Sequence, residues 1–311
     1  MITTVTLNAA VDKIYTVPGF RPDRVHRITE SVTVPGGKGV NAARVIHTLG
    51  VPVRATGFAA GHTGRMLIEG LRQEGVTADF VTAVRGETRL AITVLDPAAG
   101  TQTELIEGGP HIGQDELDAL RDKVRLLAAD SAWIVLSGSL PAGCPQGLYA
   151  ELCELAKAQG ARVALDASGE ALREGLRGRP DLVKPNEEEA ARFAGIAPGG
   201  GPDAMREAAA KLVQAGAGLA VVSLGADGAL AATAAASYRV TLPAADIVSP
   251  LGSGDAMVAG LVTGDLAGLG LPAVLRRGAA CGTAAALHAM AGRVTPADVL
   301  RLEQDIHVER L

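Results

Sequence analysis

The chain has 311 residues, of which 29 are Lys or Arg and 34 are Asp or Glu, so its formal net charge is −5 with neutral histidines. Nucleic acids and anionic membranes are held by clusters of basic residues, and no run of Lys or Arg is present, so the sequence argues against both partners. Hydrophobic residues make up 48 % and aromatic residues 3 % of the chain, which excludes a disordered protein and predicts a core of small aliphatic side chains.

The cysteines and the N-terminal segment indicate the compartment. Cys144, Cys153 and Cys281 form no CxxC pair, so neither a disulfide framework nor a cysteine zinc site is predicted. The N-terminus lacks the basic start and apolar run of a signal peptide, and no apolar run reaches the ~18 residues that span a bilayer. We therefore expect a soluble cytoplasmic protein.

Most of the chain alternates short β-branched runs with longer amphipathic segments, a pattern typical of a parallel sheet covered by helices. The predicted strands lie at 2–7, 53–58, 133–137, 161–166, 182–184 and 219–224. Predicted helices include 145–159, 255–267, 272–291 and 296–307. The glycine-rich stretch 197–202 is predicted to be a surface connection. Together these elements predict a doubly wound α/β fold.

Two segments, 27–34 and 89–94, instead alternate apolar and polar residues with period two, which is typical of a sheet with one solvated face. We expect a small separate sheet, built from insertions at about 10–35 and 86–108 into one domain that spans 1–311. A lid or an oligomer contact is the natural use of such a sheet.

The segment 250–255 (PLGSGD) is followed at once by an apolar helical pattern. The small residues Gly252, Ser253 and Gly254 let backbone N–H groups approach an anion, and a helix start adds unpaired donors and a positive dipole end. Asp255 lies where the same dipole would keep its carboxylate ionised, which suits a general base. The alternative is a glycine turn with Asp255 as a helix N-cap, and spacing alone favours it.

The segment 35–41 (PGGKGVN) follows a predicted strand and opens a predicted helix. It is not a Walker A loop, because Gly39 stands where Ser or Thr would bind magnesium. It matches a GxGxxA fingerprint, which would indicate an NAD-dependent oxidoreductase, but no acidic residue stands ~20 positions on to bind the ribose. We predict that Gly37, Lys38 and Asn41 bind hydroxyl or phosphate groups of a polar ligand. The alternative is a tight turn between strand and helix.

The segment 184–189 (KPNEEE) has a local explanation, because Asn186 is a good helix N-cap and Glu189 completes a capping box. Its functional interpretation is that acidic groups here hold Mg²⁺, directly or through water, beside nucleotide phosphates. Spacing does not decide between the two.

Two more loops of small residues follow predicted strands. In 223–228 (SLGADG) a hairpin turn competes with a glycine-lined surface for phosphate or ribose. The loop 137–143 (SGSLPAG) lies at the carboxyl edge of the predicted sheet, where open α/β sheets bind ligands. Four such loops in one chain favour a polar, phosphate-rich ligand.

Four charged residues flank the predicted small sheet or its hinge: Asp12, Arg27, Lys38 and Arg89. The planar fork of an arginine binds phosphate through two hydrogen bonds, so Arg27 and Arg89 would suit a phosphorylated substrate. The alternative for each is a solvated strand residue.

Seven motifs stand in one order along the chain: TLNAAVD at 6–12, GGKGVN at 36–41, GETR at 86–89, SGSLPAG at 137–143, KPNEEE at 184–189, SLGADG at 223–228 and GSGD at 252–255. In that order they resemble the PfkB, or ribokinase-like, carbohydrate kinases, most closely the branch that contains 1-phosphofructokinase and tagatose-6-phosphate kinase. The resemblance implies a ribokinase-like three-layer αβα fold, with a central mostly parallel sheet and a small β-sheet lid.

The resemblance also implies an activity: transfer of the γ-phosphoryl group of ATP to a hydroxyl of a small phosphorylated sugar. Asp255 would be the base, and the backbone amides of Gly252, Ser253, Gly254 and Asp255 would form the anion hole. The sugar phosphate would be bound by Asp12, Gly37, Lys38, Asn41, Arg89 and Ser139, with Arg27 reaching its phosphate. The nucleotide would be bordered by Lys184, Asn186, Ser223, Gly225, Gly228 and Gly254.

The same resemblance implies that Asn186 and Glu189 organise Mg²⁺ through water, and it leaves a monovalent-cation requirement open. It further implies a homodimer that pairs through the lid sheets.

Some positions depart from the family pattern. Ala9 stands where proline is usual, and Arg89-Leu90-Ala91 lacks an Asn that many 1-phosphofructokinases have two residues after the Arg. The segment 101–104 and the Pro250 and Ser253 version of the last loop are closer to tagatose-6-phosphate kinases. We prefer 1-phosphofructokinase activity, with tagatose-6-phosphate kinase and 6-phosphofructokinase as alternatives. An NAD-dependent oxidoreductase and a non-catalytic sugar-phosphate sensor are the alternatives of other classes.

Overall fold

The structure is a computed structural model that describes residues 1–197 and 200–311. Its strands are β1 (Ile2–Thr6), β2 (Ala10–Thr16), β3 (Glu30–Gly36), β4 (Val53–Ala60), β5 (Thr77–Ala78), β6 (Val81–Ala83), β7 (Arg89–Asp96), β8 (Thr101–Ile106), β9 (Trp133–Ser137), β10 (Arg162–Asp166), β11 (Leu182–Val183), β12 (Leu219–Ser223), β13 (Ala229–Ala232), β14 (Ser237–Thr241) and β15 (His307–Arg310). Its helices are α1 (Lys38–Thr48), α2 (Gly61–Gln73), α3 (Gln114–Ala128), α4 (Leu148–Ala158), α5 (Gly169–Gly175), α6 (Glu187–Ala194), α7 (Gly201–Gln214), α8 (Ser253–Leu266), α9 (Leu271–Ala286) and α10 (Pro296–Asp305). Of the predicted connection 197–202, residues 198 and 199 lie outside the described residues, and α7 begins within it at Gly201.

Eleven of the described strands form one large sheet, in the order β15-β14-β13-β12-β11-β10-β9-β1-β4-β5, with β6 paired to β4. The strands from β12 to β5 pair in parallel, whereas β12 to β15 pair antiparallel. In the central register, Thr6 at the end of β1 is level with Gly57 in β4 and with Ser137 at the end of β9. The carboxyl ends of the parallel strands therefore meet at one edge, where open α/β sheets bind ligands.

Helices cover both faces of the large sheet. Along β9, Val135 belongs to one buried apolar cluster, and Ile134 and Leu136 belong to the other, because successive strand side chains point to opposite faces. The first cluster includes residues of α1, α2, α8, α9 and α10, and the second includes residues of α3 to α7. The predicted three-layer αβα arrangement with a mostly parallel sheet is thus confirmed. None of the helices in the described part of the chain is long and apolar enough to cross a membrane.

The last predicted helix is wrong at its C-terminal end. The helix predicted at 296–307 ends at Asp305, and β15 then pairs antiparallel with β14. The four residues of β15 are too few to show a strand pattern in the sequence. Pairing with β14 determines their conformation.

A second sheet has four strands in the order β3-β2-β7-β8. Two separated segments of the chain form it: β2 and β3 come from the first, and β7 and β8 from the second. β2 pairs antiparallel with β3 and parallel with β7. The strand predicted within 27–34 begins only at Glu30, and Arg27 lies in the connection between β2 and β3. All six residues of the edge strand β8 are exposed.

Candidate active site

A cavity of about 1240 Å³ lies at the carboxyl ends of the parallel strands and is lined by both sheets. The strands β10, β11 and β12 bring Asp166, Lys184 and Ser223 to this edge. The cavity also gathers most residues that the motifs singled out: Asp12, Gly37, Lys38, Asn41, Arg89, Lys184, Asn186, Glu189, Ser223, Gly225, Gly228, Gly252, Ser253, Gly254 and Asp255.

Two of the predicted site residues, Arg27 and Ser139, are not among the residues that line this cavity. Arg27 is exposed in the connection that precedes β3. Ser139 is exposed, and its Oγ accepts a hydrogen bond of 3.2 Å from Nδ2 of Asn8.

The glycine turn before α8 presents the start of that helix to the cavity. Gly252 has φ +76°, in the left-handed region that favours glycine, and α8 begins at Ser253. The N–H of Ser253 donates to the carbonyl oxygen of Pro250 at 3.2 Å. The N–H groups of Gly254 and Asp255 belong to the first helical turn, which has no intrahelical acceptors, so they are the donors that suit an anion.

Asp255 is 7 % exposed, and its Oδ2 accepts a hydrogen bond of 2.9 Å from Nδ2 of Asn41. Burial, together with the negative charge of Asp166, raises the pKa of Asp255 to about 7. We expected the helix dipole to keep this carboxylate ionised, but burial and the charge of Asp166 shift its pKa in the opposite direction. A carboxylate with a pKa near neutrality suits proton transfer at neutral pH.

Two lysines converge on a buried carboxylate beside Asp255. The Nζ of Lys38 donates to Oδ1 of Asp166 at 3.0 Å, and the Nζ of Lys184 lies 3.8 Å from the same oxygen. Burial alone would raise the pKa of Asp166, but the ammonium groups of Lys184 and Lys38 hold it below its usual value. The Asp166 charge in turn raises the pKa of Lys38. The site therefore places two lysine side chains beside one buried carboxylate.

The motifs did not single out Asp166, although its position carries a signal. It is the last residue of a predicted buried strand, and an acidic residue at the carboxyl end of a parallel strand is placed at the ligand edge of the sheet.

The small sheet contributes Asp12 and Arg89 to the cavity. Burial raises the pKa of Asp12 to about 6, against the opposing positive charges of Arg44 and Arg89. The Asp12 carboxylate occupies the space beside Gly36 in the neighbouring strand, because a Cβ there would lie 2.1 Å from the carboxyl carbon of Asp12. The Nε of Arg89 donates to the carbonyl oxygen of Asn8 at 3.2 Å, which orients the guanidinium.

The GETR motif is explained by the anchoring of the segment before Arg89. The carboxylate of Glu87 accepts the N–H of Thr63 at 2.9 Å in the first turn of α2. The Oγ1 of Thr88 accepts the N–H of Ala60 at 2.9 Å. Both contacts fix the entry to β7, and so they position Arg89 at the cavity.

The predicted capping box of α6 is present. The Oδ1 of Asn186 accepts the N–H of Glu189, and Oε2 of Glu189 accepts the N–H of Asn186, both at 2.9 Å. The other carboxylate oxygen of Glu189 lies 3.8 Å from Nζ of Lys38. Within residues 1–197 and 200–311, no group of three or more His, Cys, Asp or Glu could hold a metal ion. This sparse donor set fits Mg²⁺, which keeps several waters and is held by one or two carboxylates with substrate phosphates.

The hairpin predicted at 223–228 joins β12 to β13. Gly228 has φ +87°, and a Cβ there would lie 2.0 Å from the carbonyl oxygen of Val240 in β14, so this position requires glycine. Gly225 has φ +59°, and a Cβ added to it would have no neighbour within 4 Å, so its backbone faces open space. An apolar wall of the cavity is formed by Leu242, Ile247 and Leu251. This side combines an accessible backbone with an apolar surface, as a nucleotide requires.

Two hydroxyl groups at the cavity also lack partners within the described part of the chain. Ser253 and Thr283 line the cavity. The Oγ of Ser253 and the Oγ1 of Thr283 are buried without a hydrogen bond. Buried polar atoms are normally paired, so both hydroxyls fit a polar ligand.

Comparison with known proteins agrees with this geometry. Residues 2–298 match the model of the pfkB family of carbohydrate kinases. The 1-phosphofructokinase of Rhodobacter capsulatus is 41 % identical over 276 residues, which cover 88 % of this chain and 87 % of the relative. The structure of phosphofructokinase-2 from Escherichia coli in complex with potassium superposes with a TM-score of 0.92 at 33 % identity, covering 98 % of each chain. Ribokinase of Arabidopsis thaliana, complexed with ribose and ATP, shares the fold with a TM-score of 0.77 at 22 % identity, over 97 % of this chain and 98 % of that one.

The chain belongs to the pfkB family of carbohydrate kinases. It is therefore a phosphotransferase that acts on a sugar hydroxyl, and the resemblance inferred from the seven motifs is confirmed. This assignment excludes the two alternatives of other classes, an NAD-dependent oxidoreductase and a non-catalytic sensor.

Proposed function

We propose that the protein transfers the γ-phosphoryl group of ATP to fructose 1-phosphate and so forms fructose 1,6-bisphosphate. The observation that carries this proposal is the meeting of Asp255, the first turn of α8 and the two lysines in one cavity. The choice of sugar phosphate is supported by 41 % identity to a protein named 1-phosphofructokinase.

Asp255 is the proposed general base. Its carboxylate takes the proton of the acceptor hydroxyl, whose oxygen bonds to the γ-phosphorus as the bond to ADP breaks. The turn of Gly252, Ser253 and Gly254 forms the proposed anion hole, in which the N–H groups of Gly254 and Asp255 face the charge on the transferred group. These donors are fixed by the helix, so they need no reorganisation during transfer.

The sugar phosphate is proposed to bind on the small-sheet side, where Asp12, Lys38, Asn41 and Arg89 line the cavity with the backbone of Gly37. Arg89 suits the phosphate, because its guanidinium forms two parallel hydrogen bonds. Ser139 and Arg27 are proposed as outer contacts, since neither lines the cavity of one chain.

ATP is proposed to lie along Lys184, Asn186, Ser223, Gly225, Gly228 and Gly254. A bound Mg²⁺ would neutralise phosphate charge, and Asn186 and Glu189 would hold it through water. Lys184 is proposed to bind the ATP phosphates beside the anion hole. Its Nζ lies close to the backbone of Gly254, since a Cβ at Gly254 would be 3.0 Å from it.

The small sheet is proposed to be the lid of a single domain, which excludes water that would otherwise compete for the phosphoryl group. It is also the proposed dimer contact, because apolar side chains on it and on its connecting loop are exposed. These are Val25, Ile28, Val32, Leu105 and Ile106.

A coupled assay of ADP formation tests the proposal, with ATP and Mg²⁺ and with fructose 1-phosphate, tagatose 6-phosphate, fructose 6-phosphate, fructose and ribose as acceptors. We expect the highest kcat/KM with fructose 1-phosphate. Preference for tagatose 6-phosphate or fructose 6-phosphate would keep the reaction and change the substrate. Turnover of unphosphorylated sugars alone would overturn the roles of Arg27 and Arg89.

A further inference from the structure

A buried arginine lies behind the active site, outside the residues that line the cavity. Arg44, in α1, is 7 % exposed. Its Nε and Nη2 donate to the two carboxylate oxygens of Glu74 at 2.5 and 2.9 Å. Its Nη1 donates to the carbonyl oxygens of Ala291 at 2.9 Å and Pro35 at 3.3 Å. The buried charge is thus paired and also hydrogen-bonded to two distant backbone segments.

Both of these backbone segments border the cavity. Pro35 lies in β3 of the small sheet, two residues before Gly37. Ala291 lies against the turn before α8, because a Cβ added at Gly252 would be 2.7 Å from the Cβ of Ala291. Arg44 therefore connects the end of a small-sheet strand to the backbone that supports the proposed anion hole.

The backbone at Gly292 packs closely against Arg44 and α1. A Cβ at Gly292 would lie 2.8 Å from Nη1 of Arg44 and 3.1 Å from the Cα of Asn41. Asn41 and Arg44 are three residues apart on α1, so they share one helix face. Asn41 reaches Asp255 from this face, and Arg44 reaches Ala291 one turn later.

We propose that Arg44 is a positioning residue for phosphoryl transfer, which fixes the distance between the sugar-binding end of the small sheet and the anion hole at Gly252. It acts through its two carbonyl contacts, and Glu74 holds the guanidinium in place. The inference rests on the function proposed above. A displacement of about 1 Å at a reacting centre costs on the order of 10²-fold in rate, so a contact outside the cavity affects the rate when its loss displaces the reacting groups.

Arg44→Met is the test, because methionine keeps part of the side-chain volume and removes every hydrogen bond. We expect kcat to fall by about 10 to 10²-fold. Arg121→Met is the matched control. Arg121 forms the same bidentate pair with Glu151, at 2.7 and 3.0 Å, between α3 and α4 and outside the cavity lining. The control is expected to keep its kcat.

The pH dependence separates positioning from mere stability. The positive charge of Arg44 opposes the effect of burial on the pKa of Asp12. Without that charge, the acidic limb of kcat/KM for the sugar phosphate is expected to move to higher pH in Arg44→Met and not in Arg121→Met. A folded Arg44→Met variant with unchanged kcat, or with a loss no larger than that of the control, would overturn the proposal.

Hydrogen exchange at 250–255 and 288–292 gives a readout that needs no turnover. Faster exchange of both segments in Arg44→Met than in Arg121→Met supports the proposal, and equal exchange contradicts it. If the unmodified chain turns over no sugar phosphate, the proposed function has failed, and the exchange comparison still decides the role of Arg44. If Arg44→Met does not fold, Arg44→Lys and Glu74→Gln replace it in the same comparison.

Discussion

The side-chain amide of Asn41 donates a hydrogen bond of 2.9 Å to the carboxylate of Asp255, which lies 214 residues later in the chain. This contact joins the first turns of α1 and α8, the two helices that open at the cavity with glycine turns. It also lowers the pKa of Asp255, against the larger effects of burial and of Asp166. Asn41 of α1 thus positions the proposed base at the start of α8, and Asn41 together with Asp166 of β10 affects its pKa.

Replacement of this base gives the most direct prediction. In Asp255→Asn we expect kcat to fall by about 10² to 10⁴-fold, because the acceptor hydroxyl loses its proton acceptor. Binding of ATP, measured by titration calorimetry, should persist, since the N–H donors of α8 remain. Near-normal turnover in this variant would remove Asp255 from the mechanism.

Asp255 must be ionised to accept a proton, so activity is expected to fall as the pH drops through about 7. Asn41→Ala removes a contact that lowers the pKa of Asp255, and this limb should move to higher pH. Asp166→Asn removes a negative charge that raises it, and the limb should move to lower pH. The pH profile of kcat in both variants checks these opposite signs, and shifts in the same direction would contradict the proposed coupling.

The same pKa shift predicts an effect on stability. The pKa of Asp255 is raised from 3.8 to about 7 in the folded chain, so the unfolded state loses this proton at lower pH than the folded state. The free energy of unfolding therefore decreases as the pH rises from 3.8 to about 7, and the whole of this decrease is present above pH 7. Asp255→Asn should therefore increase the free energy of unfolding more at pH 8 than at pH 4. Urea denaturation at both pH values measures the difference, and an equal change at both would contradict it.

Much of the fold followed from local pattern, whereas the site depended on position in the sheet. The buried strands at 133–137 and 219–224 were placed to within a residue, because β-branched runs between turns leave little choice. Asp166 was not predicted as a site residue, because it is a single carboxylate that belongs to no motif with a characteristic spacing. Its role depends on the contacts with Lys38 and Lys184, which only the fold brings about. Burial of Asp255, which reverses its expected pKa, is likewise a tertiary property.

Gly252→Ala is expected to reduce both stability and turnover. Gly252 has φ +76°, and an added Cβ would lie 2.7 Å from the Cβ of Ala291, so the anion-hole turn must shift. Gly268→Ala is the matched control, because Gly268 has φ +74° and no atom within 4 Å of such a Cβ. Both variants should lose about 1 kcal/mol to backbone strain, but only Gly252→Ala should lose kcat beyond that. Equal kcat in the two variants would show that the turn tolerates displacement.

The proposed dimer predicts that a charge on the loop beside the small sheet weakens association. Val25 is 93 % exposed, and Val25→Asp should lower the sedimentation coefficient at a fixed concentration, because a buried unpaired carboxylate opposes the contact. Leu126→Asp is the control, since Leu126 is 71 % exposed on α3. A similar change in both variants, or in neither, would place the contact elsewhere.

The C-terminal strand has a consequence for any shortened form of the chain. β15 covers the outer edge of β14, and its own His307, Glu309 and Arg310 are polar, a composition that discourages further strand addition. A chain that stops after Asp305 would keep every residue of the cavity but leave the backbone of β14 open to pairing with other molecules. We expect this shortened chain to self-associate and to keep its phosphoryl-transfer site. Light scattering should therefore detect aggregation before an assay of ADP formation detects any loss of activity.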